Sequence, residues 1–259
     1  MFILKKKDKE FFIKNGYLHL KSVVPNKKIL KFKNTFFDLW YKYSGDKVNK
    51  SFDNTNLTKK MIKLRKKNKL KLFYFFRTIS LSKTFKDLYN SEKIDQISSQ
   101  LLNTKETSLI ISESQFRLDE PRSKSYSLDW HQDAAHYTQD PKGDSSFVIN
   151  VTVQKQFENM GTPHLKVGSH KLGVLKIRKN KRKSKVLQLM PSKNIIENKK
   201  YKIDCVTSNP GDIVIYDMRL LHKSGLNISN KVRVSVIARV FNSMNKNFKS
   251  FRYITKILH

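Results

Sequence analysis

In the segment Asp129-Trp130-His131-Gln132-Asp133 an imidazole and a carboxylate stand two residues apart. On an extended chain such residues project to the same side, so a neutral nitrogen donor and an anionic oxygen donor can face one point. Together they form two thirds of a 2-His-1-carboxylate facial triad, an arrangement that leaves three adjacent positions open on ferrous iron. Taken alone, the pentapeptide reads more readily as a surface ion pair. A second histidine, His222, closes the strand-like run 212–221, and a barrel would bring it beside His131 and Asp133. Beyond it, alternation in 232–240 puts Val232, Val234, Val236, Ala238 and Val240 on one face and Arg233, Ser235, Ile237 and Arg239 on the other. A cation on an inward face needs an anion. The guanidinium fork suits a carboxylate, whether of a dicarboxylate cosubstrate or of an internal Asp or Glu. Arg239 lies about 20 Å further along the strand and is expected at the other end of the barrel, in a structural role. Gln115 and Arg117, on the strand before the metal motif, and His136, in a loop after it, are candidates for lining the pocket or touching substrate.

These residues need a scaffold, and the chain of 259 residues is long enough for one large domain. Its 53 Lys and Arg against 21 Asp and Glu give a charge of +32, but 17 Phe, 10 Tyr and 2 Trp supply a core that a disordered chain would lack. The single cysteine, Cys205, excludes an internal disulfide framework and a cysteine-rich zinc module. Residues 1–10 lack the roughly 7–15-residue apolar run of a secretory signal, and no stretch approaches the about 18 apolar residues of a membrane span. A cytoplasmic protein is expected. Two basic blocks, Lys59–Lys71 and Lys176–Lys185, contain no acidic residue, whereas residues 101–150 carry 8 acidic against 5 basic side chains. Lysine outnumbers arginine 43 to 10. Without a nucleic-acid-binding motif, this favours a solvated Lys-rich surface or an anionic small substrate over a nucleic-acid partner.

The first 106 residues are predicted to be mostly helical. Asn26 is expected to cap a helix through Trp40, with Ile29, Leu30, Phe32, Phe36, Phe37 and Trp40 as its apolar stripe. Further helices are predicted over 58–69, running toward 73–76, and over 83–90 and 92–102. From residue 107 the period changes to two. Strands are predicted at 108–112, 115–118, 126–132, 147–154, 164–167, 186–189, 201–206, 212–216 and 232–241. Helices followed by many short strands predict an α+β, mainly β protein: a jelly-roll core over 107–241, flanked by the N-terminal helices, with residues 242–259 as an extension. The 176–185 block is expected on an exposed loop.

Jointly, four segments resemble the phytanoyl-CoA dioxygenase family of iron(II)- and 2-oxoglutarate-dependent oxygenases. Residues 10–18, Glu-Phe-Phe-Ile-Lys-Asn-Gly-Tyr-Leu, resemble its entry segment, and Trp130-His131-Gln132-Asp133 its metal motif. Residues 159–171 resemble its strand and Pro-Gly-Ser-His turn, here Val167-Gly168-Ser169-His170. Last come Pro210-Gly211-Asp212 and the block from His222 to Arg233. The resemblance implies a double-stranded β-helix of the jelly-roll, cupin-like kind. It implies Fe(II) bound by His131, Asp133 and His222, and 2-oxoglutarate held by Arg233 with Ser224, Gln132 and Ser235 nearby. With O2 as cosubstrate, it implies hydroxylation of an unactivated C–H bond of a small molecule, with succinate and carbon dioxide as coproducts. Asp133 occupies the position that related halogenases give to a small residue, which favours hydroxylation. Ile149-Asn150 falls where some members place a Trp near the cosubstrate. The Lys-rich surface tilts the expected substrate toward an anionic or carrier-linked molecule. Two other readings stay open, a polyanion-binding module without turnover and a cupin-like metalloenzyme that does not use 2-oxoglutarate.

Overall fold

A computed structural model describes residues 2–123, 128–137, 145–176, 178–181 and 187–248. Helix α1 (Lys6–Asn15) ends on Gly16, whose φ of +80° turns the chain straight into strand β1 (Tyr17–Leu20). A Cβ on Gly16 would also collide with His170 Nδ1, so both conformation and space require glycine there. Helix α2 (Asn26–Ser44) buries Ile29, Phe32, Phe36, Phe37 and Trp40, while Leu30 is exposed. Asn26 does not cap it. Pro25 holds the N-cap position with φ −59°, and no side chain bonds the helix start.

The expected long helix after residue 58 is two helices, α3 (Thr55–Lys67) and α4 (Lys69–Leu81). Asn68 separates them with an extended backbone, and its side chain accepts a hydrogen bond from Lys71 N at 2.9 Å. It ends one helix and caps the next, as Asn does when its side chain competes for the backbone. Helix α5 covers only Lys83–Lys86, and α6 (Glu92–Leu102) starts on the Ser91 side chain.

Strands β2 (Leu109–Asp119), β3 (Ser146–Val151), β8 (Ile213–Asp217) and β10 (Arg233–Asn242) join β1 in an antiparallel sheet of order β1-β8-β3-β10-β2. A smaller antiparallel sheet has the order β7-β4-β9, from Ile203–Cys205, Pro163–Lys166 and His222–Ser224. The two strands expected at 108–112 and 115–118 are one strand, with its register against β10 shifted between Ile237 and Arg239. Part of the 176–185 block, expected on a loop, forms β5 (Arg178–Lys181), paired with β6 (Leu187–Met190). The expected strand 126–132 is not formed where it is described. From Leu128 onward there is only an isolated bridge between His131 and His222, and 126–127 lie outside the described residues.

Alternation on β10, β3 and β8 divides the core. Val232, Val234, Val236, Ala238 and Val240 pack with Phe147, Ile149, Ile213 and Ile215 under the helices. Val148, Val214, Tyr216, Ile237 and Phe241 face the other way, toward Leu165 of the smaller sheet. Under the helices the Phe36 ring lies 4.9 Å from Phe52, 5.2 Å from Phe75 and 6.0 Å from Phe116. Phe36→Ala is therefore expected to lower stability by about 3–5 kcal/mol. Urea unfolding followed by circular dichroism measures it, and a loss under ~1 kcal/mol would mean that the cluster closes over the gap. No described helix is long and apolar enough to cross a membrane.

Candidate metal centre

The two histidines meet because their backbones do. His131 N donates to His222 O at 2.9 Å and His222 N to His131 O at 3.0 Å. Such reciprocal bonding sets directly opposed side chains on one side of an antiparallel pair. The imidazole rings lie 4.2 Å apart between centroids. Each Nδ1–H donates to a main-chain carbonyl, His131 to Asp129 O at 2.7 Å and His222 to Leu220 O at 2.9 Å. With Nδ1 as the donor, each Nε2 is the ring nitrogen that carries the lone pair, and both turn to the same point as Asp133 Oδ1.

Asp133 reaches that point from a turn, not from a strand face as expected, since residue 133 leads into α7 (Ala134–Tyr137). Its Oδ1 lies 3.5 Å from His131 Nε2 and 3.6 Å from His222 Nε2. Its Oδ2 accepts from Arg239 Nε at 3.0 Å and lies 2.9 Å from a terminal guanidinium nitrogen. All three ligating atoms lie within 4.8 Å of one another, and all three residues are buried. Burial would raise the Asp133 carboxyl, but Arg239 and the two histidines outweigh it and hold it well below the usual carboxylate range. Burial, and then the neighbouring His222, push the His131 imidazole down. The centre thus offers two imidazole nitrogens and one carboxylate oxygen, the donor set of a 2-His-1-carboxylate metal site.

Arg239 was expected at the far end of the barrel. It lines the same cavity as Arg233 instead, because two long side chains on one strand face lean toward the same space. The cavity has a volume of about 210 Å³. That is below the ~300–1,000 Å³ of pockets for drug-sized ligands and suits a compact molecule. Gln115, Arg117 and Ser224 line it with the three candidate ligands. Arg233, buried, donates to Asp119 directly across the strand pair, and Arg117 donates to the other oxygen of the same carboxylate at 2.9 Å. The internal partner considered for Arg233 is therefore present. Even so, Arg233 Nε and the Ser235 hydroxyl are buried without a hydrogen-bond partner among the described residues.

Gln132 does not face the cavity. Its amide donates to Gly173 O at 2.9 Å and to Arg219 O, and accepts from Leu175 N at 2.9 Å, tying loops together. His136 lies on α7 rather than in a loop, and its side chain is outside what the structure describes. Tyr216 and Asn150 are among the lining residues not named as site candidates. The Tyr216 ring lies 4.8 Å from that of His222 at a tilt of 54°, and Asn150 presents a buried carbonyl oxygen without a partner among the described residues. Alternation on 212–216 was the available signal for Tyr216, and a polar residue inside the apolar run 147–151 was the signal for Asn150.

The sequence profile of the phytanoyl-CoA dioxygenase (PhyH) family matches residues 12–235, and the chain belongs to that family. EvdO2 from Micromonospora carbonacea var. aurantiaca has a similar structure, with a TM-score of 0.62 at 17% identity over 93% of this chain and 91% of that one. The epimerase SnoN, in complex with Fe3+, alpha ketoglutarate and nogalamycin RO, gives a TM-score of 0.61 at 16% identity, over 92% of this chain and 83% of that one. AviO1 from Streptomyces viridochromogenes Tue57 gives 0.59 at 16% identity, over 94% and 98%. These likenesses show a shared fold. No curated protein matches the sequence significantly.

Proposed function

We propose that the chain is a single-domain Fe(II)- and 2-oxoglutarate-dependent dioxygenase with a double-stranded β-helix core, hydroxylating a C–H bond of a small molecule. The observation that carries this reading is the convergence of His131 Nε2, His222 Nε2 and Asp133 Oδ1 beside a cavity that also holds Arg233. The donor set fits ferrous iron, since two imidazoles and one monodentate carboxylate leave open positions for a chelating keto acid. The partnerless Arg233 Nε–H and Ser235 O–H fit the distal carboxylate of the cosubstrate, which accepts from both. Ser224 would add a polar contact from β9. Iron bound with the keto acid would let O2 oxidise 2-oxoglutarate to succinate and carbon dioxide, one oxygen atom passing to succinate and the other to the substrate bond. The protein's own part is positioning. Main-chain carbonyls fix the tautomers, Arg239 turns the Asp133 carboxylate so that one oxygen is left for the metal, and Arg233 sets the cosubstrate's direction.

Arg117 shares its carboxylate with Arg233, so two guanidiniums stand on one anion. Once a cosubstrate carboxylate engages Arg233, these two cations and two anions balance, and the positive charge left in the cavity wall is that of Lys223. This supports an anionic substrate, with Gln115 and Arg117 as its contacts.

The test is anaerobic titration of the metal-free protein with Fe(II) and then 2-oxoglutarate, following the visible charge-transfer absorption of a chelated keto acid. The band is expected in the wild type. In Arg233→Ala it should need at least about tenfold more cosubstrate, as loss of a charged hydrogen bond of roughly 1.5–3 kcal/mol requires. The pairing of Arg233 with Asp119 favours a second reading, a metalloenzyme that does not use 2-oxoglutarate. Iron binding with no band at any keto acid concentration would select it.

A further inference from the structure

Helix α4 is apolar on two sides. Leu72, Phe75 and Ile79 are buried, as an amphipathic helix requires. Leu70, Phe73 and Leu81 follow at i, i+3 and i+11 on the opposite side, and they are 60%, 59% and 54% exposed. Tyr74, beside them, is 49% exposed. Large side chains gathered in this way mark a surface that something covers. The charge around them is of one sign. From Asn54 to Lys86 there is no acidic residue and there are eleven basic ones. Lys63, Lys66, Lys67, Lys69, Lys71 and Arg77 are all exposed.

We propose that this face of α3 and α4 docks on the surface of an anionic phospholipid bilayer. The combination is that of an interfacial helix, in which Phe, Leu and Tyr enter the headgroup boundary while Lys side chains meet anionic headgroups. The exposed apolar residues all lie along the one helix α4, and a fluid bilayer can receive such a row without a complementary groove. A second copy of this chain would set one basic face against another. Single-stranded nucleic acid would use Phe73 and Tyr74 as stacking platforms but would leave Leu70 and Leu81, which have no π-face, without a role. The proposal does not depend on the metal centre. It does bear on it, because α4 packs on β2 with Phe76 and Phe116 rings 5.8 Å apart, and β2 also carries Gln115 and Arg117 into the cavity wall. Docking would hold the cavity one strand away from the lipid surface.

The experiment is co-sedimentation of the full chain with vesicles of pure phosphatidylcholine and of phosphatidylcholine with one third phosphatidylglycerol. Binding is expected to the anionic vesicles alone and to weaken with salt. It is expected to fall at least tenfold in the triple variant Leu70→Ser, Phe73→Ser, Leu81→Ser, with circular dichroism and Fe(II) binding unchanged. In Phe73→Trp the indole emission should shift to the blue on anionic vesicles. Absence of vesicle binding overturns the proposal. So does binding that is equal in the triple variant, which would be adhesion of the whole +32 chain. Retention of a single-stranded oligonucleotide that the triple variant loses, without vesicle binding, would reassign the face to nucleic acid.

Discussion

Arg239→Met is expected to lower the stability of the metal-free protein by about 3–5 kcal/mol, the usual cost of leaving one member of a buried ion pair alone. Asp133 is buried, and Arg239 is the arginine that meets its Oδ2 through two guanidinium nitrogens. Methionine keeps most of the side-chain volume, so the loss reports charge and not packing. At roughly 2–4 °C per kcal/mol for a chain of this size, the melting temperature should fall by about 6 °C or more. A divalent ion at the centre would place new positive charge beside the same carboxylate. The variant should therefore gain more stability from Fe(II), or from Mn(II) as an air-stable substitute, than the wild type does. Equal losses with and without metal would make Arg239 a packing residue. No loss in either form would show that the carboxylate takes up a proton at little cost.

His222→Ala is expected to weaken Fe(II) binding by more than the ~100-fold that marks loss of an outer partner of a metal ligand, and to abolish the keto acid band. The fold should survive, because the pairing of residues 131 and 222 runs through main-chain atoms that the substitution leaves in place. Isothermal titration with Mn(II) measures the affinity, and thermal melting checks the fold. Affinity within tenfold of the wild type would remove His222 from the ligand set. Asp133→Ala should behave differently. It also loses metal binding, but it leaves the Arg239 guanidinium buried without that carboxylate, so it should cost stability that His222→Ala does not.

Much of this centre was legible before any coordinates. The valine alternation on 232–240 correctly divided β10 into a face under the helices and a face toward the cavity. His222, at the end of an apolar strand run, fell where a second sheet meets the first. Other features were hidden by how a sequence encodes distance. Six residues along a strand suggested about 20 Å between Arg233 and Arg239, yet each side chain reaches several ångströms toward the same cavity. Gln132 sits between two candidate ligands in the chain, but its neighbours face one way and it faces the other, into the turn at Gly173. The segment 126–132 read as a strand from its alternation, whereas the pairing of its described residues is a single bridge to His222. Asn68 interrupts an otherwise continuous helical pattern, and periodicity alone does not register a residue that caps two helices.

The groups that orient the two imidazoles, Asp129 O and Leu220 O, belong to the peptide chain itself. A substitution can delete a side-chain carboxylate that orients a histidine, but it cannot delete a carbonyl. The alignment of both nitrogens is thus inherited with the path of the backbone and is insulated from drift in the residues around it. Only an insertion, a deletion or a proline that reroutes 129–131 or 220–222 would undo it. Random mutagenesis of this chain should accordingly return far more variants with altered cavity walls than variants with misaligned histidines.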